Sequence, residues 1–312
     1  MSDQDKKGTT MDAFDEEYAF VSREVRNFIK PVRLGRKETI KFRCYPGISC
    51  FNACCKDIDI ILTPYDMLRL RKRLDVTPEA FLYRYAKPST LAKGQLPIAL
   101  IKMDKETGIC PFNTPEGCTV YDDRPVACRY YPVGMALMHK QAEEGHEDFH
   151  FLIKETFCKG HAEENLWTVG AWREDQGADV YDSQNNGWME IIIKRRSAGD
   201  GVATGLPISE FFYMVSTNPP ELRRFFFESS FFKRYEVAEE TQEMMKDDDE
   251  ALIEFGFAWL KSVLFGDRHV KVREDAIKEA EARRKIREVE IKAELKRRID
   301  AEAAKAEKKD DK

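Results

Sequence analysis

The chain crowds its sulfur. Four cysteines stand in CYPGISCFNACC, at Cys44, Cys50, Cys54 and Cys55, and four more follow at Cys110, Cys118, Cys128 and Cys158. The 312 residues contain no others. Spacing runs C-x5-C-x3-C-C and then, after a gap of 54 residues, C-x7-C-x9-C-x29-C. Thiolates two to four residues apart can hold one ion from a single turn, and Cys50 and Cys54 have that spacing. Adjacent side chains leave the backbone in different directions, so Cys54 and Cys55 either serve two sites or bridge a cluster. Eight thiolates suffice for two four-ligand zinc sites, or for an iron–sulfur cluster with some left over. Sulfur softness excludes calcium and magnesium and leaves zinc and iron both open.

Compartment decides between ligands and disulfides. MSDQDKKGTTMDAFDEEYAF has no apolar h-region and does not read as a secretory signal. No window approaches the roughly 18 apolar residues of a membrane span. A cytoplasmic chain is expected, and eight cysteines in 312 residues are too sparse for a disulfide scaffold. Scattered core thiols would not cluster in this way. A net charge of -5 gives no argument for nucleic-acid binding. Charged residues make up 34%, which points to a long solvated segment.

The elements that must hold the cysteines read as short and turn-rich, because nine of the thirteen prolines lie between residues 40 and 160. Two helix starts stand out there. In LTPYDMLRLRKRL, Thr63 caps, Pro64 takes the first helical position and Asp66 sits at the positive end, with Met67, Leu70 and Leu74 on one face. VTPEAFLYRYAK repeats the device with Thr77, Pro78 and Glu79. In CPFNTPEGCTVYDDRPVACRYYP, turns at Pro111, Pro115, Gly117, Pro125 and Pro132 can aim backbone amides at sulfur. Arg124 and Arg129 either offset the charge of a multi-thiolate site or pair with Asp122 and Asp123.

Beyond Cys158 the composition changes to helix. NPPELRRFFFESSFF has Asn218 as cap, Pro219 next and Glu221 at capping-box spacing. DDDEALIEFGFAWLKSVLFG puts Leu252, Phe255, Trp259 and Val263 at helical spacing, with Gly266 as the stop. The eight aromatics from Phe211 to Phe232 read as core rather than as a binding groove. From Asp267 on, Glu281 with Lys285 and Glu288 with Lys292 suit an exposed helix. Its short seam of Ala282, Ile286, Val289 and Ala293 lapses at Lys296, so a solvated or weakly self-associating helix is expected rather than a long coiled coil.

The run from CFNACC through LTPYDMLRL to CPF, then GCTVYDDRPVACRYYP and FCKGH, resembles the YkgJ-like cysteine-cluster family. That family has a CxxCxxCC signature and is described as chelating zinc or iron. The resemblance covers about residues 40 to 160, and its most specific element is RPxxCRxYP, Arg124 to Pro132. It implies metal binding by the eight cysteines and supplies no substrate. The opening spacing here is wider than the family's compact form, which leaves Cys44 the weakest of the eight assignments. In its cluster the family is also similar to bacterial flagellin lysine-N-methylases.

Three other motifs compete. HEDFH, residues 146 to 150, satisfies the H-E-x-x-H pattern, in which His146 and His150 would share an ion with Glu147 as base. Gly145 and the run F-H-F-L-I-K favour a strand, on which the two histidines would lie about 13 Å apart. Cys158 and His161 form C-x2-H, where His161 either lends a nitrogen ligand or caps a turn. GDGVATG, residues 199 to 205, lacks a phosphate-binding context and reads as a connector.

The expected architecture is mainly α, with a small irregular α+β cysteine-rich metal-binding domain and a long charged C-terminal helix. The divisions are a polar segment 1–39, the cysteine cluster 40–165, an aromatic helical region 166–266 and a tail 267–312. The expected function is zinc or iron binding in a structural or sensory role. A protein partner would use the aromatic helices or the tail, with no nucleic-acid or membrane partner. An iron–sulfur-dependent enzyme modifying a protein side chain, by analogy lysine methylation, is the alternative. No nucleophile–base pair or methyl-donor loop supports that alternative, and whether the chain is an enzyme stays open.

Overall fold

The computed structural model describes residues 29–91, 96–139, 146–197 and 206–310. The GDGVATG connector lies outside them, as does all but the last residue of DEEYAFVSREVRNFI, a run whose sequence reads as one possible helix. The first part of the chain alternates short strands and short helices. In order these are β1 (Ile29–Leu34), β2 (Thr39–Lys41), β3 (Ile61–Leu62), α1 (Pro64–Leu74), α2 (Pro78–Tyr85), β4 (Ala86–Thr90) and β5 (Pro97–Ile101). They continue as β6 (Asn113–Thr114), β7 (Gly117–Cys118), α3 (Val126–Tyr130), β8 (Val133–His139), β9 (His146–Ile153) and β10 (Leu166–Thr168). Helices then dominate: α4 (Val169–Asp175), α5 (Ala178–Ser197), α6 (Leu206–Thr217), α7 (Pro219–Glu228), α8 (Phe231–Arg234), α9 (Glu239–Asp247) and α10 (Asp249–Phe265). A two-residue pairing of Tyr235–Glu236 with Lys271–Val272 precedes the last helix, α11 (Glu274–Asp310).

The chain is thus mainly α with small antiparallel sheets. Strands order as β1-β9-β8 and β3-β5-β4, and β2 pairs with β10 and β6 with β7. HEDFH lies on strand β9, where His146 faces His139 and His150 faces Met135 in the register. His150 is packed inside, at 1% exposure.

Local chemistry explains the helix starts. Thr63 accepts from the Asp66 N–H while the Asp66 carboxylate accepts from the Thr63 N–H, a closed capping box ahead of Pro64. Thr77 caps α2 through the Ala80 N–H, and Asn218 caps α7 through the Glu221 N–H. Gly266 ends α10 with a left-handed φ of 73°. The buried face of α10 is Leu252, Ile253, Gly256, Phe257 and Leu260. Phe255 and Trp259 flank that face half-buried, and Val263 is exposed, so the expected stripe is rotated toward Phe257.

Three cores result. The largest joins α5, α6, α7 and α10, through Trp188, Ile191, Phe212, Val215, Phe226 and Phe257, to Tyr65, Leu68, Ile98 and Val126 from the cysteine-bearing part. The aromatics of 211–232 pack there edge to face, as with Phe226 on Phe231 at 4.6 Å. A second core, Leu62, Met67, Leu70, Phe81, Ile101 and Phe112, lies between α1, α2 and the β3-β5-β4 sheet. A third is formed by Ile40, Phe42, Val133, Val169 and Trp172. On α11, Ile286, Val289, Ile291 and Leu295 are all exposed. There Glu288 pairs with Arg284 on its N-terminal side rather than with Lys292.

Asp66 does more than cap. Its side chain is fully buried, and its second oxygen accepts the Val126 N–H at 2.8 Å, tying α1 to the start of α3. Asp66→Ala leaves two buried N–H groups without acceptors. It is expected to lower stability by about 2–4 kcal/mol in a denaturant titration.

Candidate metal centre

The thiols arrive on irregular backbone that is bonded to itself across long separations. Asn52 takes a left-handed φ of 65° at the head of a 3-10 turn, Ala53–Cys55. Its side chain donates to the Thr114 carbonyl at 2.8 Å, which ties the doublet to the β6-β7 hairpin carrying Cys118. The Cys110 N–H donates to the Cys55 carbonyl at 2.9 Å, beside an antiparallel bridge between Lys56 and Ile109. Cys128 lies on α3. Cys110, Cys118 and Cys128 therefore rest together against the second core.

The other cysteines gather about the turn that follows Cys158. The Arg43 N–H donates to the Gly160 carbonyl at 3.1 Å, so the chain entering Cys44 lies along the turn leaving Cys158. The Lys159 N–H donates to the Cys50 sulfur at 3.1 Å. Cys158 packs against the third core beside Tyr131. All eight cysteines are free thiols, and Cys44 is the exposed one.

Charge coupling shows which thiols are neighbours. Burial pushes the Cys44 thiol up to about 11, with Cys54, Cys50 and Cys158 adding to the rise. The Cys55 thiol beside it, and then burial, push Cys54 well above the usual thiol range. The doublet's sulfurs thus stand side by side on the 3-10 turn, although adjacent side chains were expected to diverge. Cys128 is likewise driven far up by burial, reinforced by Cys110, Asp66, Cys118 and Cys54. Cys54 is common to both groups. Burial also raises Cys110, Cys118 and Cys158.

The two arginines divide their roles. Arg124 is close enough to Cys118 for its charge to pull that thiol down against burial, and Cys128 and Cys118 act back on it. Arg129 instead clamps the loops, donating to the carbonyls of Arg124, Gln176 and Asp122 and to the Tyr181 hydroxyl. Neither binds Asp123, whose carboxylate is taken by Arg69. His161 stacks among rings, 5.3 Å from Phe42 and 6.4 Å from Tyr131.

As a donor set these residues fit a soft ion: free thiols, backbone amides aimed at sulfur and one nearby guanidinium. They are gathered but not drawn onto a point. Among the described residues no three His, Cys, Asp or Glu side chains stand close enough to hold one metal ion. Nothing in the local residue pattern marks Glu155 and Tyr131 as neighbours of the thiols; their burial beside Cys158 and Cys54 emerges only in the fold.

Soft donors carried on short strands and turns, with Cys110, Cys118 and Cys128 against the second core and Cys158 against the third, are what this geometry shows. Residues 43–159 match the family model CxxCxxCC, described as "Putative zinc- or iron-chelating domain". Over those residues, rather more than a third of the chain, the sequence is similar to that family. Comparison with curated proteins and with solved structures finds no match.

Gly160 permits the junction at Cys158. A Cβ there would lie 2.7 Å from the Phe42 ring and 2.8 Å from the Arg43 carbonyl oxygen, and the latter is backbone that cannot swing away. Gly160→Ala is expected to cost about 1–3 kcal/mol in thermal unfolding. Alkylation of Cys158, followed by peptide mass spectrometry, should be faster in this variant than in the parent.

Proposed function

We propose that the cysteine cluster of residues 40–165 is a thiolate centre for zinc or iron, in a structural or sensory role. One observation carries this reading. Eight free thiols are spread over 115 sequence positions, and Cys54 is near enough to act both on Cys44, together with Cys50 and Cys158, and on Cys128, together with Cys110 and Cys118. Cys55, bonded through its carbonyl to Cys110, belongs with the second group. When bound, the ion supplies the positive charge that keeps the sulfurs deprotonated. The chain's residues orient the sulfurs, screen them from water and, through Arg124, offset part of their charge. The cytoplasm, where thiols stay reduced, is the fitting compartment. The aromatic helical half, sharing a core with α1, is the part that would report the state of the centre to a protein partner.

The shared position of Cys54 gives specific support to the second reading, a bridged iron–sulfur cluster serving a protein-modifying enzyme. Metal analysis and an absorption spectrum after anaerobic purification separate the two. About two zinc ions per chain in a colourless protein fit the structural reading, and a brown protein with a broad visible band fits the cluster. Only trace metal after reconstitution rules out both. Among single serine variants, Cys54→Ser should lose the most metal and Cys44→Ser the least. Alanine at both His146 and His150 should leave the metal content unchanged, because their strand keeps them from sharing an ion.

A further inference from the structure

The last helix has no core to serve. Arg273 fastens its start, donating to the carbonyls of Phe232 and Tyr235. Every residue of α11 from 277 to 299 is exposed. Six large aliphatic side chains are among them, and Ile286 and Val289 keep 60% and 67% of their surface in water. Ion pairs within the helix, Glu279 with Arg283, Arg284 with Glu288 and Glu294 with Arg298, each contribute little. They help the helix to form but give no reason for its exposed isoleucines.

The aliphatics lie on two faces. Ile277, Ile291, Leu295 and Ile299 share one, and the Arg284–Glu288 pair interrupts its middle. The other holds the unbroken 4-3-4 seam Ala282, Ile286, Val289 and Ala293. Set antiparallel on a second copy, that seam closes on itself. Ile286 meets Val289 of the second copy, Ala282 meets Ala293, and Glu279 meets Lys296, while Arg283 lies beside Glu290. The seam's lapse at Lys296 thus becomes a charge pair at each end. Charge along the helix suits the same direction. Residues 274–281 hold four acids and one base, and residues 292–299 hold four bases and one acid. A parallel pair would instead put Glu279 on Glu279 and Lys296 on Lys296, where like charges repel. Lys285 and Lys292 flank the antiparallel seam with like charge and keep the pairing weak.

We propose that α11 is an interaction surface for a second copy of this chain. The two helices pair antiparallel through Ala282, Ile286, Val289 and Ala293, with Glu279 facing Lys296 at each end. Nothing in this pairing needs a metal, so it stands whether or not the thiols hold one.

Sedimentation equilibrium of the full chain under reducing conditions, over a concentration series, tests the pairing. The apparent mass should climb from one chain toward two. Ile286→Ala suits a helix and strips both central layers by symmetry, so it should weaken the pairing by roughly 10–100-fold. Glu279→Lys and Lys296→Glu should each weaken it by a few-fold, and the double variant should recover the parent's affinity. The two positions lie about 26 Å apart along one helix, so only contact between copies gives that recovery. In a parallel pair the single variants would exchange one like-charge contact for another and change little. One-chain mass at every concentration leaves the face to solvent or to a different protein and overturns the proposal. Pairing that Ile286→Ala leaves within about twofold overturns it as well. Single charge variants without effect, or a double variant without recovery, overturn the antiparallel register. If a charge variant loses its helical circular dichroism, Ile286→Ala decides alone.

Discussion

A single carboxylate, fully enclosed, ties together the two helices of the sulfur-bearing part, α1 and α3, that pack on the helical half. Asp66 accepts from the backbone N–H of Thr63 at 2.9 Å and of Val126 at 2.8 Å, so the first turn of α1 and the start of α3 share one acceptor. Burial pushes its carboxyl up to about 6, and its hydrogen bonds pull the other way. What that cost secures is visible on α1. Tyr65 and Leu68 face the large helical core, whereas Met67 and Leu70 face the smaller core under Cys110, Cys118 and Cys128. The Asn185 side chain on α5 accepts the Tyr65 N–H at 3.2 Å and fixes the helix from its other side. The Cys128 helix meets the helical half directly as well, through Val126 in the large core and through Arg129 on the Gln176 carbonyl and the Tyr181 hydroxyl.

Irregular backbone must still pair its polar groups, and here the pairing itself determines where sulfur goes. Neither the stretch 44–58 nor the stretch 102–125 forms a long strand or helix. Each supplies the other's missing partners, through Cys110 on Cys55, Asp57 on Gly108 and Asn52 on Thr114. The segment after Cys158 does the same for Arg43, at a glycine too tightly packed for a side chain. Two small cores then seat the two groups of thiols, and the 3-10 turn of the doublet lies between them.

Where a residue's conformation is decided by its near neighbours, the sequence was sufficient. Thr63, Thr77 and Asn218 cap because Pro at the next position and a short polar side chain leave the backbone little choice. HEDFH is a strand for a similar local reason, its run of alternating bulky residues. Positions decided by distant partners were not legible. Arg129 met three carbonyls from two segments, the 122–124 turn and Gln176, instead of a neighbouring aspartate side chain, and Asp123 went to Arg69, 54 residues away. Asp66 showed its capping role in the sequence, but its bond to Val126 needed the fold. The adjacency of Cys54 and Cys55 was plain. That a 3-10 turn would set their sulfurs side by side was not, because nothing in FNACC distinguishes that turn from an extended strand.

Thiols pushed up by burial are protonated and apolar in character at neutral pH, so the cluster can pack as ordinary core in the absence of positive charge. Removing those protons without a cation would place several negative charges side by side in a partly buried region, with Arg124 as a nearby guanidinium to offset them. Coordination reverses the balance: thiolate–zinc binding supplies on the order of 10–16 kcal/mol in small thiolate domains, comparable with the whole stability of a folded domain. The binding energy is then folding energy for the loops that the sulfurs terminate. Because Cys128 follows the α3 start held by Asp66, and Asp66 belongs to a helix shared with the large core, that energy is not confined to the loops. A metal bound as proposed would act on the helical half through α1 and through the Val126 and Arg129 contacts of α3.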